Sequence, residues 1–159
     1  MLKRRVLILQ NLYEVIPSED GLAYTFTTRY NITYQLALIS YQLGEINAFS
    51  LSLYPDTEPS HVDHWIKNTV IKVIGDILEK DSNVIFYICD SEDNRHDKRH
   101  LVFEYWYQKS AEVYAYVSKF NYAAVSENGY PINASVLYNN QNPLGDLIIE
   151  SFKSELDNF

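Results

Sequence analysis

Apolar positions alternate through the first third of the chain. Leu22, Tyr24 and Phe26 are interleaved with Ala23, Thr25 and Thr27, the period of two that marks a half-buried strand. Arg29-Tyr30-Asn31 reads as a tight turn, and beyond it Ile32, Tyr34, Leu36 and Leu38 share one face, which predicts a β-hairpin. Phe49, Leu51 and Leu53 alternate with Ser50 and Ser52 as a third antiparallel strand, and the Pro55–Pro59 segment stops the sheet.

The period then changes. Ser60 followed by Asp63 resembles a capping box with the shorter acid. From there Val62, Trp65, Ile66, Thr69, Val70, Val73, Ile74, Ile77 and Leu78 recur at helical spacing. Val84 to Cys89 is apolar at every position, as a strand buried on both faces would be. A second helix is expected from about Asp93 to Lys109. Strands follow at Val113–Phe120 and Ile132–Tyr138, with the turn signal Asn128-Gly129-Tyr130-Pro131 between them. Asn142 and Pro143 open a last helix with an apolar stripe of Leu144, Leu147, Ile148, Phe152 and Leu156. The order is βββ-α-β-α-ββ-α. It predicts an α+β fold: a mainly antiparallel sheet with Val84–Cys89 near its centre and three helices covering one face.

Composition narrows the class. The 159 residues carry no linker, repeat or low-complexity stretch, so a single domain, 1–159, is expected. With 47% hydrophobic residues the chain can fold on its own core. The single cysteine, Cys89, cannot form an internal disulfide, which fits a reducing compartment. The basic start Lys3-Arg4-Arg5 is followed by only Val6–Leu9 before Gln10. That is too short for a signal-peptide core or a membrane span, so the expectation is a cytoplasmic protein with no membrane partner. A net charge of -8, from 13 basic and 21 acidic residues, disfavours nucleic acid as a partner.

One segment concentrates chemistry. After Cys89 come Asp90, Asp93, Arg95 and Arg99, with Trp106 further on. At 100° per residue, Arg95, Arg99, Val102 and Trp106 fall in one helical sector, so two arginines share the stripe that should face the core. Charges on such a face must be paired or must meet a ligand. Either Asp90 and Asp93 pair with the arginines and lock helix to strand, or Arg95 and Arg99 bind a phosphate or carboxylate at the strand end. In both cases removing one partner of a buried pair costs about 3–5 kcal/mol.

The spaced pattern Tyr87-x-Cys89-Asp90-x-x-Asp93-x-Arg95-x-x-x-Arg99-x-x-x-Phe103-x-x-Trp106 resembles the most distinctive stretch of a family of small bacterial proteins of unknown function. The resemblance extends through Tyr24-x-Phe26-x-Thr28 and Asn68-Thr69-Val70-Ile71, from about Tyr13 onward. It implies that Asp90, Asp93, Arg95, Arg99 and Trp106 form a defining set, and it brings no activity with it.

Other signals are weaker. His96 and His100 lie one helical turn apart and His61 and His64 three residues apart, but two ligands do not complete a metal site, and no metal or other cofactor is expected. Cys89 closes an apolar run, where cysteine behaves as a small hydrophobe. The five glycines are scattered singly, so there is no phosphate-cradling loop. Tyr105, Trp106, Tyr107, Tyr114, Tyr116 and Tyr122 are aromatic without a basic groove, which favours packing over base stacking. With fourteen tyrosines, an acidic charge and no catalytic motif, the leading expectation is an interaction or regulatory module that binds a protein partner or self-associates. The alternative is an enzyme or sensor of a phosphorylated or carboxylated small molecule. There Arg95 and Arg99 would hold the anion, Asp90 or Asp93 would serve as base or metal ligand, and His96 as acid.

Overall fold

The computed structural model describes residues 11–89, 107–108 and 114–158. The strands are β1 (Ile16–Pro17), β2 (Ala23–Thr27), β3 (Thr33–Leu43), β4 (Ile46–Pro55), β5 (Val84–Cys89), β6 (Val117–Val125) and β7 (Pro131–Asn139). The helices are α1 (His64–Leu78) and α2 (Gly145–Asp157). The strands form one seven-stranded sheet in the order β1-β2-β3-β4-β5-β7-β6. Every pairing is antiparallel except β4 with β5, where Phe49 lies opposite Ile85 in parallel. The sheet is therefore mixed, and β4–α1–β5 is a crossover unit of the kind a parallel pair requires.

Local chemistry sets the turns. Between β2 and β3 the Asn31 amide donates to the Thr28 carbonyl at 2.9 Å, and Asn31 takes φ 59, a left-handed conformation that asparagine tolerates. The β3–β4 hairpin closes through Gly44-Glu45, with Gly44 at φ 57, so two-residue turn geometry carries both strands past the bounds expected from apolar alternation. Asp63 is itself the N-cap of α1: its carboxylate accepts from the Trp65 amide at 3.1 Å, while the Ser60 hydroxyl lies 3.0 Å from Nδ1 of His61. The expected capping box is thus replaced by a single capping residue, and Val62 stays 82% exposed outside the helix. At the other end of α1, the side-chain amide of Asn139 donates to the Leu78 carbonyl (2.9 Å) and that of Asn83 to the Ile77 carbonyl (2.8 Å), satisfying terminal carbonyls from β7 and the connection. The last helix begins at Gly145, later than Asn142-Pro143 suggests, and the Asn142 side chain accepts from the Leu144 amide at 2.8 Å just ahead of it.

The two helices pack on opposite faces of the sheet. On one, Val70, Val73 and Leu78 of α1 meet Leu36, Leu38, Leu51, Ile85 and Tyr87. On the other, Ile148, Phe152 and Leu156 of α2 meet Leu43, Ile46, Val84, Phe86 and Val136. This corrects the expected architecture of three helices on one face of a mainly antiparallel sheet. Two helices lie wholly within the described residues, one per face, and β5 is buried from both sides for that reason. The span expected to form a middle helix, from Asp93 to Lys109, lies outside the described residues except for Tyr107 and Gln108. The strand expected at Val113–Phe120 runs instead from Val117 to Val125.

Candidate functional site

Asp90, Asp93, Arg95, Arg99 and Trp106 all lie outside the described residues, as do His96 and His100. What is described is the chain on either side of that segment. It leaves the end of β5 after Cys89, and Tyr107, Tyr114 and β6 follow it. These flanking residues converge on one cavity.

The cavity, of about 50 Å³, lies between α1 and the sheet. Among the described residues, Val70, Ile71, Ile74 and Gly75 of α1 form one wall, Tyr87, Leu137, Val117 and Lys119 the sheet side, and Tyr107 and Tyr114 also line it. Gly75 makes this arrangement possible. A β-carbon there would stand 2.4 Å from Cε1 of Tyr114, so only glycine lets the buried ring come this close to the helix. Tyr116 sets its ring edge-on to Tyr114, with centroids 6.0 Å apart, and donates its hydroxyl to the Gly75 carbonyl at 2.7 Å. The Lys119 ammonium lies 5.5 Å from the ring centroid of Tyr107 and 5.9 Å from that of Tyr87, within cation–π range of both. The Tyr107 hydroxyl donates to the Val117 carbonyl at 3.3 Å.

Size decides what such a cavity can take. A single water needs about 10–15 Å³ by the same measure, so the space suits a few waters or a group of about five heavy atoms. Drug-sized and nucleotide ligands need roughly 300–1,000 Å³. The lining offers aromatic faces to an apolar portion, and Lys119, already stacked against Tyr87 and Tyr107, is the charged side chain among the described lining residues.

The described residues also include a constellation that the sequence reading does not contain. The Asp63 carboxylate, 1% exposed, accepts from the Tyr13 hydroxyl and lies 3.5 Å from the half-exposed Arg29 guanidinium. Arg29 sits between rings, 5.4 Å from the centroid of Trp65 and 5.5 Å from that of Tyr30, and Tyr30 stacks on His61 at 4.2 Å. Arg29 comes from the β2–β3 turn and Asp63 from a loop far along the chain, so no local spacing announces the pair. Its chemistry is satisfied internally: an N-cap, an ion pair and a stack that pin the start of α1 to the hairpin. His64, paired with His61 in the sequence reading, is an exposed first residue of α1. Cys89 is buried and forms no disulfide. Among the described residues no group of three His, Cys, Asp or Glu side chains is placed to hold a metal, and no helix is long and apolar enough to cross a membrane.

The cavity residues, from Val70 to Leu137, all fall within the stretch 62–154, which matches a family of unknown function, DUF6169. The chain belongs to that family. The matched stretch starts at Val62, so the β1–β4 strands, with Arg29 and Tyr30, precede it, while Asp63 and Trp65 fall inside it. No curated protein and no solved structure matches the chain.

Proposed function

We propose that this DUF6169 member is a sensor or regulatory module for a small carboxylated or phosphorylated molecule. The observation that carries this reading is the cavity whose aromatic walls and Lys119 flank the Asp90–Trp106 segment in the chain. In this reading the anion is held jointly by Lys119 and by Arg95 and Arg99. Asp90, Asp93 and Trp106 complete the proposed set. The cavity volume limits the buried part of the ligand to a group such as a propionyl or phosphoryl unit. The buried thiol of Cys89 suits a reducing, cytoplasmic setting.

The test is a thermal-shift titration with propionate and with inorganic phosphate. A ligand at 100 times its Kd stabilises by about 2.7 kcal/mol. That corresponds to several degrees for a chain of this size, at about 2–4 °C per kcal/mol. Loss of the shift in folded Arg99→Lys and Lys119→Met variants supports the reading. Silence of the wild-type protein to both probes removes it.

A specific observation favours a second reading, that of a module binding a protein partner or a second copy. Ile39 and Tyr41 of β3 and Tyr54 of β4 lie on the sheet face that α2 covers only in part, and all three are exposed. Sedimentation at micromolar concentration distinguishes this reading: self-association lost in an Ile39→Ser, Tyr54→Ser double variant supports it.

A further inference from the structure

On the face of the sheet opposite the cavity, a notch of about 130 Å³ opens along the flank of α2 that faces β3 and β4. Its floor is apolar. Phe86 and Phe152 are both buried, their centroids 6.1 Å apart, and Tyr41 meets Phe86 edge-on at 5.3 Å. The polar side chains in its lining are Ser50, Tyr41 and Glu155. The Tyr41 hydroxyl donates to the Glu155 carboxylate, and no described cation pairs with that carboxylate. The nearest lysine along α2, Lys153, is on the other flank, 5.4 Å from the Phe120 ring and 4.0 Å from Glu150.

The helix adds to this field. Glu155 lies in the last turn of α2, which contains no basic residue, so the negative end of the helix dipole and the carboxylate act in the same direction. Asp157, in the same turn, is engaged by the Tyr122 hydroxyl at 2.7 Å on the β6 side. An anion entering the notch meets repulsion from the Glu155 carboxylate and the helix end. A cation gains from both, and Tyr41 offers it a ring face as well.

We infer that the notch is a binding site for a small protonated amine carrying one aromatic or branched apolar arm. The apolar arm occupies the space over Phe86 and Phe152, which is roughly that of one benzene ring. The ammonium group binds the free oxygen of Glu155 beside the Tyr41 ring. The site is separate from the cavity beneath α1 and takes the opposite charge.

The experiment uses phenethylammonium and its neutral isostere 2-phenylethanol, titrated into the full chain and followed by two-dimensional amide NMR. The expected result is saturable shifts at Tyr41, Phe86 and Glu155 with the amine, at least tenfold weaker binding of the alcohol, and at least tenfold loss of amine affinity in Glu155→Gln. The comparison of amine with alcohol needs no variant and stands if Glu155→Gln fails to fold. Equal binding of amine and alcohol, amine shifts confined to other residues, or no saturable shift at millimolar amine overturns the assignment.

Discussion

The ring of Tyr114 occupies the place where a side chain on Gly75 would begin, with three ring atoms between 2.4 and 2.8 Å of that β-carbon position. This contact joins α1 to the residues that follow the Asp/Arg segment, and it forms one wall of the cavity. A glycine within a helix costs stability relative to alanine, so its presence in the fifteen-residue α1 needs a packing reason, and Tyr114 supplies it.

Gly75→Ala tests that contact. Alanine ordinarily gains about 1 kcal/mol over glycine in a helix interior. Forcing a methyl group into occupied space costs about 1–3 kcal/mol. The steric term wins at these distances, so the variant is expected to lose about 1 kcal/mol in urea denaturation and to shift the Tyr114 and Tyr116 resonances. A variant more stable than the wild type would show that the ring is not held there.

Asp63→Ala removes the N-cap of α1 and the acceptor of Tyr13 together. Loss of the cap alone costs about 1 kcal/mol. The Arg29 contribution is small because its side chain is 53% exposed and screened by solvent. The expected total is about 2 kcal/mol, against under about 1 kcal/mol for Arg29→Ala, both read from denaturation midpoints. Equal losses in the two variants would mean that the ion pair, not the cap, holds the helix start.

The tyrosines predict an alkaline limit. Burial is the largest cause raising the phenols of Tyr13, Tyr24 and Tyr34 above their ordinary value of 10.0, and the hydrogen bond to Glu155 does the same for Tyr41. The folded state therefore disfavours the phenolate. The stability tied to these groups is fully present below pH 10 and is lost as pH rises beyond it. Denaturation between pH 8 and 12, with tyrosinate absorbance followed in parallel, should show a plateau that falls above pH 10, with those tyrosines titrating late.

Phe152→Ala should cost about 3–5 kcal/mol, because the ring is 1% exposed in the core beneath α2. Ile39→Ser, on the same face but 55% exposed, should cost under about 0.5 kcal/mol. Comparable losses would place Ile39 in a buried interface.

Much of the fold is legible in single elements, and less of it in their arrangement. The helical period from Val70 through Ile77 and the all-apolar Val84–Cys89 run each report their own burial directly. The second of these already carries the information that both faces of the sheet are covered, since a strand with one solvated face alternates. β3 and β4 extend past their expected bounds because Ser40, Tyr41 and Gln42 are exposed and break the apolar pattern, while the Gly44 turn geometry keeps the ladder in register. The parallel β4–β5 pairing leaves no local signature; it follows from how α1 crosses the sheet. Lys119 and Gly75 meet around one cavity from positions far apart in the chain, and neither carries a motif. The Asp/Arg pattern is legible as a pattern, but the five residues that define it lie outside the described structure.

The measurement that bears most directly on the central claim is an amide NMR titration of the full chain with propionate, in the wild type and in Lys119→Met. Propionate bound in the cavity gives saturable shifts at Tyr87, Tyr107 and Tyr114 together with Arg95 and Arg99, all strongly weakened in the variant while its spectrum remains that of a folded protein. Shifts absent from those residues, or unchanged by the loss of Lys119, would contradict it.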